Sequence, residues 1–406
     1  ASAFFVEVFY QVFNSQDWAY YLLSQIFVVI SFYFVFKLSN EILKDPELSL
    51  ISVLLLESIF FYNFTTPEFN VNICQLPFWS AVVYYSWKIF YNEKIEFKDC
   101  FFVGFFASIG FLSKYLFIYL IISISFLFIY FIFFKKKMKF DFKYIIIFEI
   151  FIVLLVPHLI WLNDNNYITI TYGLKRSGID DVSLIDHIRY PLIFIGKQFG
   201  ILIPFFVLCF LLLKKIKYKL NFKDNKIIFL IFINFLPIFL MLMTSLLTGS
   251  KIRTMWMTPF YLFFGLLFVY IFQSQIKSKR IYSFLYGFIF LFFLSPVLYS
   301  FISIKQTDKR TDYFGKDIAD LVERRWNKNF SNEIMYVVGD EWYAGNLSYH
   351  MTSRPKWFLD LKDKTHKLDI NGGIIYVGNP EILKEICPGD FGKIDKQGYC
   401  MIGSRR

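Results

Sequence analysis

Apolar runs of about 18 to 25 residues, the length a helix needs to cross the hydrocarbon core of a bilayer, recur from residue 19 to residue 304 with short polar breaks between them. Charged residues make up 18% of the chain, against about a quarter in a soluble domain. The sequence therefore reads as mainly α, a polytopic transmembrane helical bundle. About ten spans are expected, over 19–38, 48–62, 71–91, 100–113, 115–134, 144–162, 190–213, 227–247, 255–272 and 281–304. The second and fourth are short, so tilting, merging with a neighbour or a break near their Pro and Gly residues is expected.

The net charge of +11 would raise the question of nucleic acid in a soluble domain. Here cations flanking membrane spans account for it, and no nucleic-acid partner is read. Breaks 39–47, 92–99, 135–143, 214–226 and 273–280 carry seventeen Lys and Arg, and the alternate breaks carry six. The positive-inside rule makes the first set cytoplasmic, so loop 163–189, with Asp181, and everything after 304 are expected outside. The 55 Phe and the abundant Lys fit biased base composition, so Phe runs and single lysines carry less weight than the ten arginines.

After residue 304 the pattern changes to a small extracytoplasmic α/β domain over 305–406. Thr311 or Asp312 is expected to cap a helix with apolar positions Phe314, Ile318, Leu321 and Val322. A strand over 334–338, a helix over 343–351, a strand over 374–377, a helix after Pro380 and a hairpin around Gly398 follow. Cys387 and Cys400 flank a turn-rich segment of this domain, on the side where disulfides persist, and are expected to pair. Residues 1–18 are amphipathic and aromatic and suit the membrane interface. With Ala at position 1 and no signal peptide, they read as the remnant of a first outer loop, with one more span expected upstream.

Cations on the sparse side need a reason. Lys114, between two spans, reads either as a lysine snorkelling to the interface or as a point charge held against a lipid phosphate. Lys251, Arg253 and Trp256 share one short break. An Arg there can meet phosphate bidentately and Trp favours that depth, with interface anchoring as the alternative. In loop 163–189, Asp164, Tyr172, Lys175, Arg176 and Asp180 are either solvated or part of a sugar-binding cleft. His158 reads as interfacial before catalytic. Glu57 lies within a span, where a carboxyl is costly, whereas Glu68 can be hydrated. No phosphate-binding loop, zinc-protease motif or supported Ser/His/Asp pattern is present, so a nucleotide-driven pump is unsupported.

The set Pro67-Glu68-Phe69-Asn70, Leu76-Pro77-Phe78-Trp79, Gly110 to Tyr115, Pro157-His158 to Trp161, Gly249 to Pro259, and Gly339-Asp340-Glu341 with Asn346 to His350 resembles bacterial membrane glycosyltransferases. These use polyprenyl-phosphate sugars and are related to the protein O-mannosyltransferases (glycosyltransferase family 39) and the lipid A aminoarabinose transferase. The resemblance runs over nearly the whole chain. It implies a GT-C bundle with an extracytoplasmic active site in a bacterial cytoplasmic membrane. The implied partners are an undecaprenyl-phosphate-type sugar donor, membrane lipids and a glycan, lipid or protein acceptor. Lys114 matches the family's Leu-(Ser/Thr)-Lys lysine, and Lys251 or Arg253 the basic residue before its Trp/Pro motif, all as phosphate partners. Where many relatives carry an Asp, this chain has Glu68, Asn70 and Asn72. Glu68 and Asn70, with His158, Asp164, Tyr172, Arg176 and Trp256, are the cavity candidates. No cofactor is assigned, and a divalent cation stays open. The family's catalytic acid is expected before Ala1, so no catalytic base is assigned here. A lipid-linked-glycan transporter or flippase, or a non-catalytic assembly partner with the same fold, is the alternative.

Overall fold

Short polar side chains and prolines start the helices where the apolar runs begin. Asp45 accepts from the amides of Glu47 and Leu48, with Pro46 at the first helical position, and opens helix α3 (Pro46–Leu54). Asp224 caps helix α11 (Asn225–Thr248) through the Lys226 amide, and Gly249 ends it in the left-handed conformation. Asn70 caps the short helix α4 (Val71–Cys74) by accepting from Asn72 and Ile73.

The computed structural model describes residues 1–92, 94–178, 182–214, 216, 221–306, 312–359, 372–394 and 397–406. They form two units, Ala1–Phe301 and Ile302–Arg406. The remaining helices of the first are α1 (Ser2–Phe13), α2 (Asp17–Leu43), α5 (Leu76–Tyr91), α6 (Phe97–Ser113), α7 (Ile118–Ile129), α8 (Lys143–Asp164), α9 (Ile168–Ser177), α10 (Asp186–Leu212), α12 (Phe264–Phe272) and α13, which begins at Ser278 and ends at Lys305. Among the described residues six helical stretches are long and apolar enough to cross a membrane, and a seventh does so as a pair bent by 46° between Thr254–Tyr261 and Phe264–Gln275. Segments 46–62, 71–91 and 97–113 are shorter or broken by 3-10 turns. The break into 3-10 turns falls in 48–62, which the sequence places as a short span, whereas the one at Gln75 falls in 71–91, which it reads as unbroken.

Helix α2 packs on α3 and α5, α5 on α6, α6 on α8, α7 on α11, and α12 on α3. Where α12 meets α3, a Cβ on Gly265 would stand 2.0 Å from the Ser52 carbonyl oxygen. Only glycine admits that approach, the small-residue packing that replaces hydrophobic collapse in a membrane. Trp79, Phe117 and Phe260 form a fully enclosed aromatic layer, with ring centroids 5.4 and 4.9 Å from Trp79. The outer surface is equally apolar: Val29, Phe148, Phe199 and Phe290 are each more than 60% exposed. In water such a surface would be an aggregation site; in hydrocarbon it is solvated. The chain is an integral membrane protein.

The second unit is a five-stranded sheet in the order β2-β1-β3-β5-β4, built from β1 (Ile334–Val338), β2 (Lys356–Phe358), β3 (Gly373–Gly378), β4 (Asp390–Ile394) and β5 (Gln397–Ile402). Strand β1 lies parallel to β2 and β3, and β5 antiparallel to β3 and β4, with Val337 opposite Ile375 and Tyr376 opposite Cys400. Helices α14 (Gly315–Asn329), α15 (Tyr343–His350) and α16 (Pro380–Ile386) complete it. Cys387 and Cys400 are joined, with Cα atoms 6.4 Å apart, which ties the end of α16 to β5.

Three expectations are corrected. Helix α14 starts at Gly315 after Phe314, so Asp312 does not cap it, and Thr311 lies outside the described residues. Its buried face is Ala319, Val322 and Trp326, while Phe314 and Leu321 are 72% and 53% exposed. The Trp326 indole donates to the Asn332 carbonyl at 2.7 Å, and seating that ring turns the helix away from the Phe314 face. The stretch 163–189, read as a loop, contains helix α9, ended by Gly178 in the left-handed conformation. Asp180 and Asp181 lie outside the described residues.

Candidate anion site at the Lys114 turn

Lys114 stands at the turn between α6 and α7, where the backbone leaves the helix for an extended conformation. Its amide donates to the Gly110 carbonyl at 3.1 Å, and its own carbonyl accepts from Phe117 at 3.0 Å. The reversal needs Gly110, because a Cβ there would sit 2.3 Å from the Phe117 ring. The motif spacing Gly110 to Lys114 is thus a folding requirement that aims the lysine.

The lysine is half-buried. Its Nζ donates to Asn72 Oδ1 at 2.5 Å and lies 5.3 Å from the centre of the Trp256 ring. Asn72 is itself buried, on the short helix that Asn70 caps. Burial first, and the Arg176 guanidinium second, push the Lys114 ammonium down to about 7. Among the described residues the groups set against this amine at short range are a neutral amide oxygen and a ring face, neither with a full negative charge.

Arg176 comes from α9, where its Nη1 donates to the Tyr172 hydroxyl and its guanidinium lies over the Tyr172 ring. The Lys251 amide donates to the Ser177 carbonyl at 3.1 Å, which ties the segment after α11 to the end of α9. The Tyr115 hydroxyl, next to Lys114, bonds both His158 Nε2 and Thr169 Oγ1 at 2.7 Å. His158 stacks on Trp161 at 5.7 Å. Four segments distant in sequence therefore converge on one turn.

Of the residues singled out in sequence, Lys114, Trp256, Arg176, Tyr172 and His158 join this network directly or through one intermediary. Asn70 acts on it as the cap beneath Asn72. Arg253 caps the 3-10 helix that carries Trp256 and is exposed, as is the Lys251 side chain. Glu68 is exposed, with its carbonyl accepting from Asn70 Nδ2, and Asp164 is the exposed last residue of α8. Sequence reading gave no separate role to Tyr115 and Thr169, whose ordinary Tyr and Thr signals stand out from nothing around them. Among the described residues no three His, Cys, Asp or Glu side chains converge as a metal site.

Residues 1–161 match the model of the dolichyl-phosphate-mannose-protein mannosyltransferase family. The structure is similar to a crystal structure of ArnT from Cupriavidus metallidurans bound to undecaprenyl phosphate. The TM-score is 0.63 at 9% sequence identity, over 98% of this chain and 87% of that chain. No curated protein sequence matches.

Proposed function

We propose, for a chain that has the GT-C fold and matches a mannosyltransferase family model over residues 1–161, that the Lys114 turn holds the phosphate of a polyprenyl-phosphate sugar. The protein is an integral-membrane glycosyltransferase. The observation that carries the reading is the Lys114 amine set between Asn72 and Trp256, with the Arg176 guanidinium acting on it and no carboxylate against it among the described residues.

In the transfer, the bond between the anomeric carbon and the phosphate oxygen breaks, and that oxygen keeps the electron pair. The acceptor oxygen or nitrogen bonds to the same carbon and gives up its proton. Negative charge grows on the leaving phosphate, where Lys114 and Arg176 stabilise it more than they stabilise the bound donor. Arg253 and Lys251 add positive charge at the start of the Trp256 segment. Asn72 orients the Lys114 amine, and Tyr115 fixes the turn. Undecaprenyl phosphate is the carrier of choice, and a glycan, lipid or protein takes the sugar.

The test is transfer by the purified full-length protein in liposomes, supplied with radiolabelled sugar on undecaprenyl phosphate. Protein-dependent release of label from the carrier is expected, lowered about tenfold by Arg253→Ala, the loss of one charged hydrogen bond. Carrier that stays loaded while crossing the bilayer would instead make the protein a flippase.

The cation asymmetry supports a reading in which the Lys114 turn, α9 and residues 305–406 face the periplasm from a bacterial cytoplasmic membrane. Cys74, Cys100 and Cys209 are buried and Cys387 is paired with Cys400, so the chain gives little background to a thiol reagent. Cysteines placed at the exposed Lys139 and Lys175 should label from opposite sides of sealed vesicles; labelling from one side overturns this orientation.

A further inference from the structure

Five helix ends meet in one cluster of lysines and tyrosines. Lys44 closes α2, Tyr91 is the last residue of α5, Lys137 follows the membrane-length stretch Tyr115–Phe134, Lys226 opens α11, and Tyr270 stands in the last turn of α12. The Lys114 turn lies at the other end of Tyr115–Phe134, a stretch of 20 residues that spans about 30 Å at 1.5 Å per residue. The cluster is therefore separate from the site described above.

The Lys137 ammonium lies 4.6 Å from the centre of the Tyr91 ring and the Lys226 ammonium 5.7 Å from it, so one ring gathers two cations. Trp87 stacks on that ring at 4.4 Å and holds it. Lys226 also lies 5.9 Å from the Tyr270 ring and donates to the Ile42 carbonyl at 2.8 Å. That bond caps the end of α2 and uses one of the three donors of an ammonium. Asp224 is the carboxylate whose field reaches both lysines, yet its two oxygens are engaged. Oδ1 accepts from the Lys226 amide at 2.9 Å and Oδ2 from the Tyr270 hydroxyl at 2.6 Å. Among the described residues no carboxylate lies within ion-pair distance of Lys44, Lys137 or Lys226. Desolvation holds the Lys137 and Lys226 ammoniums below the usual lysine value, Lys44 adds to this at Lys226, and Asp224 opposes it at both. A further anion would relieve all three cations.

The surroundings say which anion fits. Phe133, Phe134 and Phe222, on the segments that lead to Lys137 and Lys226, are 68%, 74% and 63% exposed. A soluble anion makes no use of exposed phenyl rings, whereas a lipid brings hydrocarbon to them together with its phosphate. We propose that Lys44, Lys137 and Lys226, gathered about Tyr91, hold the phosphate of an anionic bilayer phospholipid whose acyl chains lie against Phe133 and Phe134. An ammonium serves phosphate as a point charge, and a basic pocket between helix ends is a setting in which lipid headgroups are held. The positive-inside rule reads this end as cytoplasmic, the leaflet whose anionic lipids attract such cations.

The full-length protein in detergent is titrated with phosphatidylglycerol and with phosphatidylcholine of the same acyl chains, and bound lipid is counted by native mass spectrometry. Phosphatidylglycerol should bind about tenfold more tightly, the size of one charged hydrogen bond. Lys137→Met, at an exposed position, should remove most of that preference, and Lys137→Arg should keep it. Lys139→Met, in the same break but outside the ring contacts, should keep it too, as should Lys114→Met, so this site and the Lys114 turn are tested apart. Inorganic phosphate, at an ionic strength matched with chloride, should leave the preference in place. Equal binding of the two lipids by the original protein overturns the proposal, as does a preference that survives Lys137→Met. A loss as large in Lys139→Met would reduce the cluster to a diffuse belt of charge, and displacement by inorganic phosphate would make it a site for a soluble anion; either result also overturns it.

Discussion

Lys114→Met should lower kcat/KM for a polyprenyl-phosphate sugar by roughly 10² to 10³, the usual effect of removing one charge-stabilising group from a reaction centre, with the fold intact. Met keeps the length of the stem and its packing against Trp256, so the loss isolates the charge. The amine held down to about 7 adds a pH signature. An amine attracts phosphate by charge only when protonated, and in the free protein the protonated fraction of Lys114 falls as pH rises through about 7. The kcat/KM profile should therefore decline above that pH. Lys114→Arg keeps the cation and does not titrate in this range, so whatever activity it retains should lack that limb. Unchanged turnover in Lys114→Met, with the protein correctly folded, would remove the phosphate role.

The second large effect belongs to the disulfide. Cys387 and Cys400 close a loop of sequence separation 13, for which the chain-entropy model gives roughly 3 kcal/mol. In a unit of this size that corresponds to a fall of about 12–24 °C in the unfolding temperature. Reducing the protein, or Cys387→Ser with Cys400→Ser, should produce that shift, while the membrane unit, whose cysteines are buried and unpaired, should respond little. Protease protection of the C-terminal unit against temperature, read with and without reductant, measures it. Coincident curves would show that the bond contributes nothing. The bond also bears on orientation, since a persistent disulfide belongs on the oxidising side of the membrane.

Sequence by itself determined the apolar stretches and four of the five strands, leaving out the three-residue edge strand β2. A span is legible because hydrocarbon must face hydrocarbon over the whole length of a helix, a condition every residue in the run reports. The strand read at 334–338 is β1 with the same bounds, and the hairpin about Gly398 is β4 and β5. Alternation and turn residues are local signals, and local signals survive in one dimension. One weak point of the span pattern was legible too: the short stretch 48–62 is where a helix breaks into 3-10 turns, whereas 100–113 lies within the continuous helix α6 and the break at Gln75 left no such signal.

Only the tertiary structure decided which side chains meet. Asn72 and Lys114 are 42 positions apart, and the Trp256 ring reaches the same amine from another segment of the bundle. Each residue is unremarkable alone: an Asn within a first helical turn, a lysine between spans, a tryptophan at the depth Trp prefers. Lys197 shows the converse. A lysine in a Lys-rich chain carries little weight in sequence, and only the hydrogen bond that turns Gln198 inward shows Lys197 on the exposed face of α10, beside a cavity. Even α14, whose existence was legible, took its face from Trp326 finding the Asn332 carbonyl. Hydropathy is summed along a helix and tolerates rotation, whereas a site depends on the rotation and crossing of several helices at once, and those are set by close packing between residues far apart in the chain.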